Sequence, residues 1–342
     1  MIDEGRAARL NAIKLSALVR DHLAASTLAG SSSGAIEAAE FAGGAAVRHG
    51  DEGWVLVADR SQYGPSRGLG GALAWAVRHD VARLHVVVDE GEGGLARRAA
   101  GFALPVSVWR AEGRALVAAV AAPLPHAAEV PPHHRQFEDV IVAAGAEPTI
   151  EHGVLAGEVV GLEVCRVVDD AYSGTTRLEV GVGTHDREAF LMLHGDRPTS
   201  AALAEVVAAV RAHRTDPASG HPLARLARER LLRAVVVADP ALVGASRVEP
   251  VPPPEPRANL KDPVPCTAVA HDARGGRTVL VFTTGIDLDA VPTCIDARTA
   301  TGIDQCELVL PTRDAIDLQH RLAALAVPPV TLRTIDIASV HP

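Results

Sequence analysis

The chain has 342 residues, which is more than one ordinary hydrophobic core accommodates, so we expect several domains. Hydrophobic residues make up 48% of the sequence and aromatic residues only 3%, which predicts cores built from Ala, Val and Leu. The net charge of −9 excludes a general electrostatic attraction to nucleic acid or anionic membranes, although nucleic-acid binding by a local arginine patch stays an alternative.

The cysteines and the N-terminal sequence indicate the compartment. The four cysteines stand apart in the sequence and form no C-x-x-C pair, which is typical of reduced core residues (Cys165, Cys266, Cys294 and Cys306). Residues 1–30 contain no continuous apolar stretch of the kind that a signal peptide needs, and no run in the chain is long enough to span a bilayer. We therefore predict a cytoplasmic protein without a membrane partner.

Residues 1–30 predict an amphipathic helix, because Leu10, Ile13 and Leu18 recur near helical spacing. The segment "AGSSSGA" then ends the helix, and residues 31–50 are interpreted as a linker. Such a helix either packs on its own domain or pairs with a second copy of the chain, so a homo-oligomer formed through this helix is one alternative.

Residues 51–123 alternate short apolar strands with helices. In chain order we predict strand, helix, strand, helix and strand in "WVLVAD", "LGGALAWAVRHD", "RLHVVVDE", "GGLARRAAGFA" and "PVSVWRAEG". Strands that are apolar throughout and separated by helices favour parallel pairing with both faces of the sheet covered. This range is a predicted α/β domain, and the proline-rich residues 124–135 are a linker.

Residues 264–342 repeat that layout. The segments "RTVLVFTTG", "QCELVLPTRD" and "PVTLRTID" predict strands, and "DLDAVPTCIDARTA" and "AIDLQHRLAALA" predict helices between them. The two ranges share their layout but little residue identity, so a duplication and two separate domains are both open. The proline-rich residues 246–263 are interpreted as an extended tether.

Residues 136–245 form a predicted middle α+β domain. We expect a helix in "QFEDVIVAAGA", strands in "GEVVGLEVCRVVDD", "TRLEVGVGTH" and "EAFLMLHGD", helices in "TSAALAEVVAAVRAHR" and "LARLARERLLR", and a strand in "AVVVADPAL". The predicted fold class is therefore α/β, with two βαβαβ-type units of parallel strands flanking a middle α+β unit.

The order helix, three strands, helix and strand over residues 136–240 resembles the core of the PD-(D/E)XK nuclease-like fold, in which acidic residues on adjacent strands hold Mg²⁺. On that resemblance Glu163 or Glu179 takes the position of the strand carboxylate, while Asp186 and Glu188 supply a second ligand. The resemblance implies these four acids as catalytic residues, Glu163 and Glu179 as ligands of Mg²⁺ or Mn²⁺, and nucleic acid as the substrate.

The family pattern also requires a lysine two residues after the second acid. In this sequence Gly181 lies two residues after Glu179, and Phe190 lies two residues after Glu188. An arginine cannot readily replace the lysine in proton transfer, because its pKa is too high. The resemblance therefore implies a degenerate metal-dependent nuclease-like protein rather than an active member of the family.

A structural alternative explains the same acids as parts of a salt-bridged hairpin. If a turn near Tyr172–Gly174 joins two antiparallel strands, Arg166 lies opposite Glu179, and such cross-strand pairs contribute roughly 0.2–1 kcal/mol. Strict alternation puts Glu163 on the face opposite to Arg166. The glycines at 181 and 183 leave room beside Glu179, which is the feature that still favours a ligand there.

A second candidate site is the glycine-containing loop before the helix "LGGALAWAVRHD". Backbone N–H groups at the start of a helix can bind a phosphate, and Gly68, Gly70 and Gly71 occupy such a position. Asp89 follows the next strand, near where a dinucleotide-binding domain has its ribose-binding acid. Because the third glycine of G-x-G-x-x-G would fall on Leu73, the match is partial, and it predicts a nucleotide or small-ligand binding module as an alternative function.

The remaining polar candidates have simpler interpretations. Asp287 and Asp289 follow a strand, where residues that contact a ligand or residues that cap a helix are both common. The histidines, including His133 and His134, show no H-x-x-x-H spacing, so we predict no zinc site. A third function class is a scaffold without chemistry, assembled through the N-terminal helix.

Overall fold

A computed structural model describes residues 4–27, 35–58, 67–170, 174–194, 199–215, 220–257 and 264–336. The chain divides into two compact units, each made of separate stretches of sequence. Unit 1 comprises residues 1–124, 287–300 and 316–331, and unit 2 comprises residues 125–286, 301–315 and 332–342. The described residues form three β-sheets with helices around them, so the predicted α/β class with several units is confirmed.

Unit 1 contains a six-stranded sheet in the order β1-β2-β3-β4-β5-β6. The strands β3, β4 and β5 are parallel and joined by helices α2 and α3, as predicted, whereas the outer neighbours pair antiparallel. The elements are α1 (Glu4–Thr27), β1 (Ile36–Ala39), β2 (Gly44–His49), β3 (Glu52–Val57), α2 (Leu69–His79), β4 (Arg83–Val88), α3 (Glu92–Ala99), β5 (Val106–Glu112) and β6 (Ala115–Ala118).

The interpretation of residues 31–50 as a linker is wrong for most of that range, because β1 and β2 lie within it. The strands β2 and β3 form a tight hairpin in which His49 pairs with Glu52, and Gly50 supplies the positive φ of 62° that the turn needs. Residues 31–34 lie outside the described part of the chain.

The N-terminal helix α1 packs on its own unit. Leu15, Leu18 and Val19 are buried in a core that also contains Val47 and Trp54 of the sheet. The remaining apolar residues of the predicted face, Leu10 and Ile13, are more than half exposed. The alternative in which the helix packs on its own domain is therefore the one observed, and self-association stays a prediction.

Unit 2 begins with an antiparallel four-stranded sheet in the order β10-β9-β8-β7. Helices α4 and α6 pack on one face of it, where Ile141, Leu155, Leu162 and Leu203 are fully buried. The elements are a 3₁₀ helix (Pro132–Phe137), α4 (Glu138–Ala143), β7 (Glu147–Glu151), β8 (Val154–Val159), β9 (Leu162–Asp169), β10 (Thr176–Val180), α5 (Gly183–His194), α6 (Thr199–Arg214), α7 (Pro222–Arg225), α8 (Arg228–Ala238) and a second 3₁₀ helix (Pro240–Val243).

Three predictions for the middle range are wrong in type or extent. Residues 188–194 of the predicted strand "EAFLMLHGD" belong to helix α5, since Glu, Ala, Leu and Met favour helix, and residues 195 and 196 lie outside the described part of the chain. The predicted strand "AVVVADPAL" continues α8, because Leu232 and Val236 bury the same side of that helix at a spacing of four residues. The segment "GEVVGLEVCRVVDD" forms two strands, since a turn at Val160 and Gly161, both with positive φ, joins β8 to β9.

The third sheet has the order β11-β12-β13-β14-β15, with β11, β12 and β13 antiparallel and β13 parallel to β14. Because β11 lies within residues 246–263, the interpretation of that range as a tether is wrong for its first part. The elements are β11 (Arg247–Val251), β12 (Cys266–His271), β13 (Arg277–Phe282), α9 (Ala290–Thr301), β14 (Cys306–Pro311), a 3₁₀ helix (Thr312–Asp314), α10 (Asp317–Leu325) and β15 (Thr331–Ile335).

The order strand, strand, helix, strand, helix and strand therefore occurs twice, in residues 44–112 and in residues 266–335. An ancient duplication stays a prediction. Among the described helices, none is both long and apolar enough to cross a membrane. The four cysteines are buried thiols, as predicted, and burial raises the pKa of Cys165 and Cys266 to about 12, which leaves these thiols protonated and unreactive.

Candidate functional site

The charged face of the four-stranded sheet of unit 2 carries two of the predicted acids, Glu163 and Glu179. On this face β9 contains a bulge: Gly157 pairs with Cys165 and Glu158 with Glu163, so Val164 is an extra residue. The bulge places Glu163 and Arg166 on the same face although they are three residues apart. The strict alternation expected from the sequence, which put them on opposite faces, is therefore wrong at this point.

Glu163 is buried and bound by two arginines. The Nε and Nη2 atoms of Arg166 each donate to its carboxylate over 2.9 Å, and Nη1 of Arg187 donates to it over 3.0 Å. The predicted register is confirmed, because Glu179 lies opposite Arg166. The hydrogen bonds of Glu179 come from Arg177 instead, at 2.8 Å for Nη2, while Nε of Arg187 lies 3.6 Å away.

The buried Arg187 therefore stands between the two glutamates that were predicted to hold a metal. A divalent ion bound by Glu163 and Glu179 would have to displace this guanidinium. Because an arginine stays charged at any ordinary pH, displacing it would leave a buried charge without its partners, which is costly. The other two predicted catalytic acids, Asp186 and Glu188, lie on α5 and are exposed, and Glu188 contacts His185 at 3.8 Å. The four acids do not converge on one point.

The space that the sequence predicted beside Gly181 is filled by another part of the chain. A Cβ atom at this residue would lie 2.9 Å from the backbone of Asp186 and Arg187, so the first turn of α5 occupies the space that favoured a ligand. Gly181 also has a φ of 140°, which other residues rarely adopt. Of the turn predicted near Tyr172–Gly174, residues 172 and 173 lie outside the described residues.

A second group of charges lies where α8 covers the neighbouring strands. Arg230 contacts the carboxylates of both Glu151 and Glu158, and Arg233 donates to the same two carboxylates over 3.2 and 3.1 Å. Both arginines are at least 95% buried. Burial raises the pKa of Glu151, but the two arginines outweigh it and hold that pKa below its usual value, so the group is charged.

A cavity of about 320 Å³ opens on this charged face. Three arginines line it, Arg166, Arg230 and Arg257, together with three glutamates already described (Glu151, Glu158 and Glu163). Arg257 follows β11 in a range predicted as a tether, so no pattern in the sequence pointed to it. Its guanidinium is 7% exposed, and its Nη1 atom is buried without a hydrogen-bond partner.

The nearest carboxylate to Arg257 is a weak partner. Nη1 of Arg257 lies 3.6 Å from Oε1 of Glu229, too far for a hydrogen bond, and that oxygen is also buried without one. Burial raises the pKa of Glu229 and lowers the pKa of Arg257, so the ion pair is poorly stabilised from both sides. Arg257 is consequently a cation of this cavity with an unused donor at Nη1, and Arg230 has one at Nε.

The predicted phosphate-binding loop of unit 1 binds a carboxylate of the protein itself. The backbone N–H groups of Gly68 and Gly70 donate to the carboxylate of Asp289 at 2.9–3.0 Å. Arg67 donates to Asp287 over 2.5 Å, and Asp287 in turn accepts from the backbone N–H of Asp289. The two aspartates therefore cap helices, which is one of the two roles predicted for them.

The rest of the predicted nucleotide site is also accounted for by local contacts. Asp89 is 60% exposed and accepts a hydrogen bond from Lys14 of α1 over 2.6 Å. Gly71 faces Phe41 at ordinary van der Waals distance. Residues 59–66, the first part of the predicted loop, lie outside the described residues.

We expect Gly70→Val to lower the stability of unit 1 without any nucleotide being involved. A Cβ at Gly70 would lie 2.1 Å from the carbonyl oxygen of Leu288, a backbone atom that cannot turn away, and such overpacking costs about 1–3 kcal/mol. Tryptophan fluorescence during urea unfolding measures this effect, because all three tryptophans (Trp54, Trp75 and Trp109) lie in unit 1. Gly71→Ala is the control. Its Cβ would make only an ordinary van der Waals contact with Phe41, so this variant should be neutral or slightly stabilising. A thermal shift of wild type by nucleotides that Gly70→Val removes would instead support the nucleotide-binding alternative.

Neither a protein-family model, nor a curated protein, nor a solved structure matches this chain. The resemblance to the PD-(D/E)XK nuclease-like fold therefore stays a prediction, as do Mg²⁺ or Mn²⁺ and a nucleic-acid substrate. What the protein does has to be inferred from the geometry of its own residues.

Proposed function

We propose that unit 2 binds a small anionic ligand, one that carries a carboxylate or a phosphate, in the cavity on the charged face of its four-stranded sheet. The observation that supports this most is Arg257, which lines the cavity and whose buried Nη1 has no hydrogen-bond partner. A buried polar group without a partner costs free energy, more so when it is charged. An anion in the cavity would satisfy this group.

The other charges around the cavity favour an anion over a cation. Each glutamate in the lining is bound by arginine: Glu163 by Arg166 and Arg187, and the pair Glu151 and Glu158 by Arg230 and Arg233. These carboxylates are therefore neutralised and add little attraction for a cation. An arginine presents a planar fork of donors that matches a carboxylate or a phosphate.

The size of the cavity indicates a small molecule. Its volume of about 320 Å³ falls at the lower end of the range of ligand sites, which is about 300–1,000 Å³. Arg166 is 37% exposed, so at least one of its three arginines is accessible from solvent. We therefore place the function in the class of small-ligand binding, at a different site from the glycine loop suggested by the sequence.

The test compares anion binding by wild type and by Arg257→Gln, which removes the charge and shortens the side chain by two bonds but keeps it polar. Thermal shift and titration calorimetry with inorganic phosphate, citrate and AMP as probes should show binding to wild type. Because a hydrogen bond to a charged group contributes about 1.5–3 kcal/mol, we expect Arg257→Gln to weaken the binding by roughly 10- to 100-fold.

Arg274→Gln serves as the matched control, since Arg274 is an exposed arginine of unit 2 that does not line the cavity. It should bind each probe as wild type does. Equal weakening in the two variants would show a general effect of charge and would refute the proposed site. The proposed site would also be refuted if none of the three probes stabilised wild type at millimolar concentration.

A further inference from the structure

Two histidines and an aspartate of unit 2 meet at the end of β9. His133 and His134 are consecutive in the 3₁₀ helix Pro132–Phe137, and Asp169 is the last residue of β9. Nε2 of His133 lies 3.1 Å from Oδ1 of Asp169, and Nε2 of His134 lies 3.0 Å from the same oxygen. One ligand atom from each of the three residues falls within 4.8 Å of the other two.

The state of His134 sets this cluster apart from an ordinary surface contact. Its side chain is 7% exposed, and neither of its ring nitrogens makes a hydrogen bond, although Nε2 is close to Asp169. The contact has the distance of a hydrogen bond but not its direction. A buried imidazole without a well-directed hydrogen bond is costly, and a metal ion at Nε2, beside the carboxylate of Asp169, would supply a directed bond.

We propose that His133, His134 and Asp169 bind a divalent transition metal ion of the Zn²⁺ class. Imidazole nitrogen and carboxylate oxygen are ordinary ligands of zinc, and ligand atoms that share a tetrahedral ion at about 2.0–2.1 Å lie roughly 3.3 Å apart. The 3.0 and 3.1 Å separations are close to that value, so small side-chain movements admit the ion. The sequence predicted no zinc site, because the usual spacing patterns do not include adjacent histidines whose third partner lies on a distant strand.

The site leaves part of the coordination sphere to solvent. His133 is 53% exposed and Asp169 is 49% exposed, so water reaches the side of the cluster that His134 does not cover. Three protein ligands and an open position are typical of zinc sites at which a water or a substrate binds the metal, whereas structural sites have four protein ligands. None of the three residues lines the anion cavity, so this site is independent of the proposed function.

The test measures metal binding by the tag-free full-length protein. We expect one equivalent of Zn²⁺ in competition with a chromophoric chelator, and a visible absorption band when Co²⁺ replaces it. Mg²⁺ should not compete, because it prefers an all-oxygen shell. His133→Ala and Asp169→Asn should each weaken Zn²⁺ binding at least about tenfold and abolish the cobalt band. Both replaced side chains are half-exposed, so both variants should fold as wild type does, which circular dichroism checks.

The matched control is His126→Ala, because His126 is an exposed histidine of the same proline-rich segment. His213→Ala is a second control, since His213 stacks on His221 with ring centroids 3.8 Å apart and so belongs to a close histidine pair away from the proposed site. Both controls should keep the stoichiometry and the affinity of wild type. Zinc binding that survives in His133→Ala and Asp169→Asn would overturn the proposal, whatever His213→Ala shows, as would the failure of wild type to bind Zn²⁺ at micromolar concentration.

Discussion

Replacing Glu158 with alanine is expected to lower the free energy of unfolding of unit 2 by about 3–5 kcal/mol. Glu158 is bound by Arg230 and Arg233, both buried, and removing it leaves two buried guanidinium groups with Glu151 as their remaining carboxylate. Uncompensated buried charge is among the costliest defects in a protein. Urea unfolding followed by circular dichroism measures the loss, since the tryptophans lie in unit 1.

A double variant separates charge imbalance from loss of packing. Glu158→Met combined with Arg233→Met leaves Arg230 and Glu151 as a one-to-one pair, so it should be more stable than Glu158→Ala although it changes more atoms. Glu147→Ala is the control, because Glu147 lies opposite Glu158 in the sheet but is exposed, and it should change stability by less than about 0.5 kcal/mol. A double variant that is less stable than the single one would contradict the charge argument.

The second large effect is expected in unit 1, from Asp296→Ala. Asp296 has no exposed surface, and its two carboxylate oxygens accept from Arg97 over 2.8 and 3.0 Å and from Arg98 over 2.7 Å. Arg98 is itself 2% exposed. In Asp296→Ala its guanidinium therefore loses the carboxylate, and water cannot reach it to take the place of that carboxylate. We expect a loss of about 3–5 kcal/mol, measured by tryptophan fluorescence during urea unfolding.

An exposed aspartate provides the comparison for this second prediction. Asp304→Ala removes the same group from an exposed position and should leave the unfolding midpoint within error. Asp296→Asn keeps the shape of the side chain and one hydrogen-bond acceptor, and its stability should fall between wild type and Asp296→Ala. If Asp296→Ala and Asp304→Ala unfold at the same urea concentration, the buried ion pair does not stabilise unit 1.

The sequence predicted those helices and strands whose apolar residues recur with the period of a helix or a strand. The strands β3 and β4 each end in a run of buried apolar residues, and helices separate β3, β4 and β5 along the chain, so their parallel arrangement could be predicted. The second half of α8 could not, because three consecutive valines favour a strand by propensity and only burial on the third sheet keeps them helical. The bulge at Val164 was equally invisible, since it depends on how β8 pairs with β9.

The candidate sites show the same limit more strongly. The sequence correctly placed Glu179 opposite Arg166 but wrongly put Glu163 on the other face, and Arg187 came from a segment predicted as a strand and loop. Asp289 caps a helix whose first residues lie about 220 positions earlier, and no pattern in a single sequence reports such a distance. The proposed metal site is a further example. The first 3₁₀ helix of unit 2 lies against β9, and only this packing brings His133 and His134 close to Asp169.

The discontinuity of unit 1 has a consequence for how the protein is made. Helices α9 and α10 contribute most of residues 287–300 and 316–331 to this unit, although the first 124 residues emerge from the ribosome long before them. Until then α2 begins without the carboxylate of Asp289, and Arg98 lacks that of Asp296. A nascent chain that ends at residue 286 can therefore complete neither unit 1's helix cap nor its buried ion pair. Completion of unit 1 therefore has to follow the synthesis of residues 287–331, and chain closure over residues 125–286 sets its entropic cost.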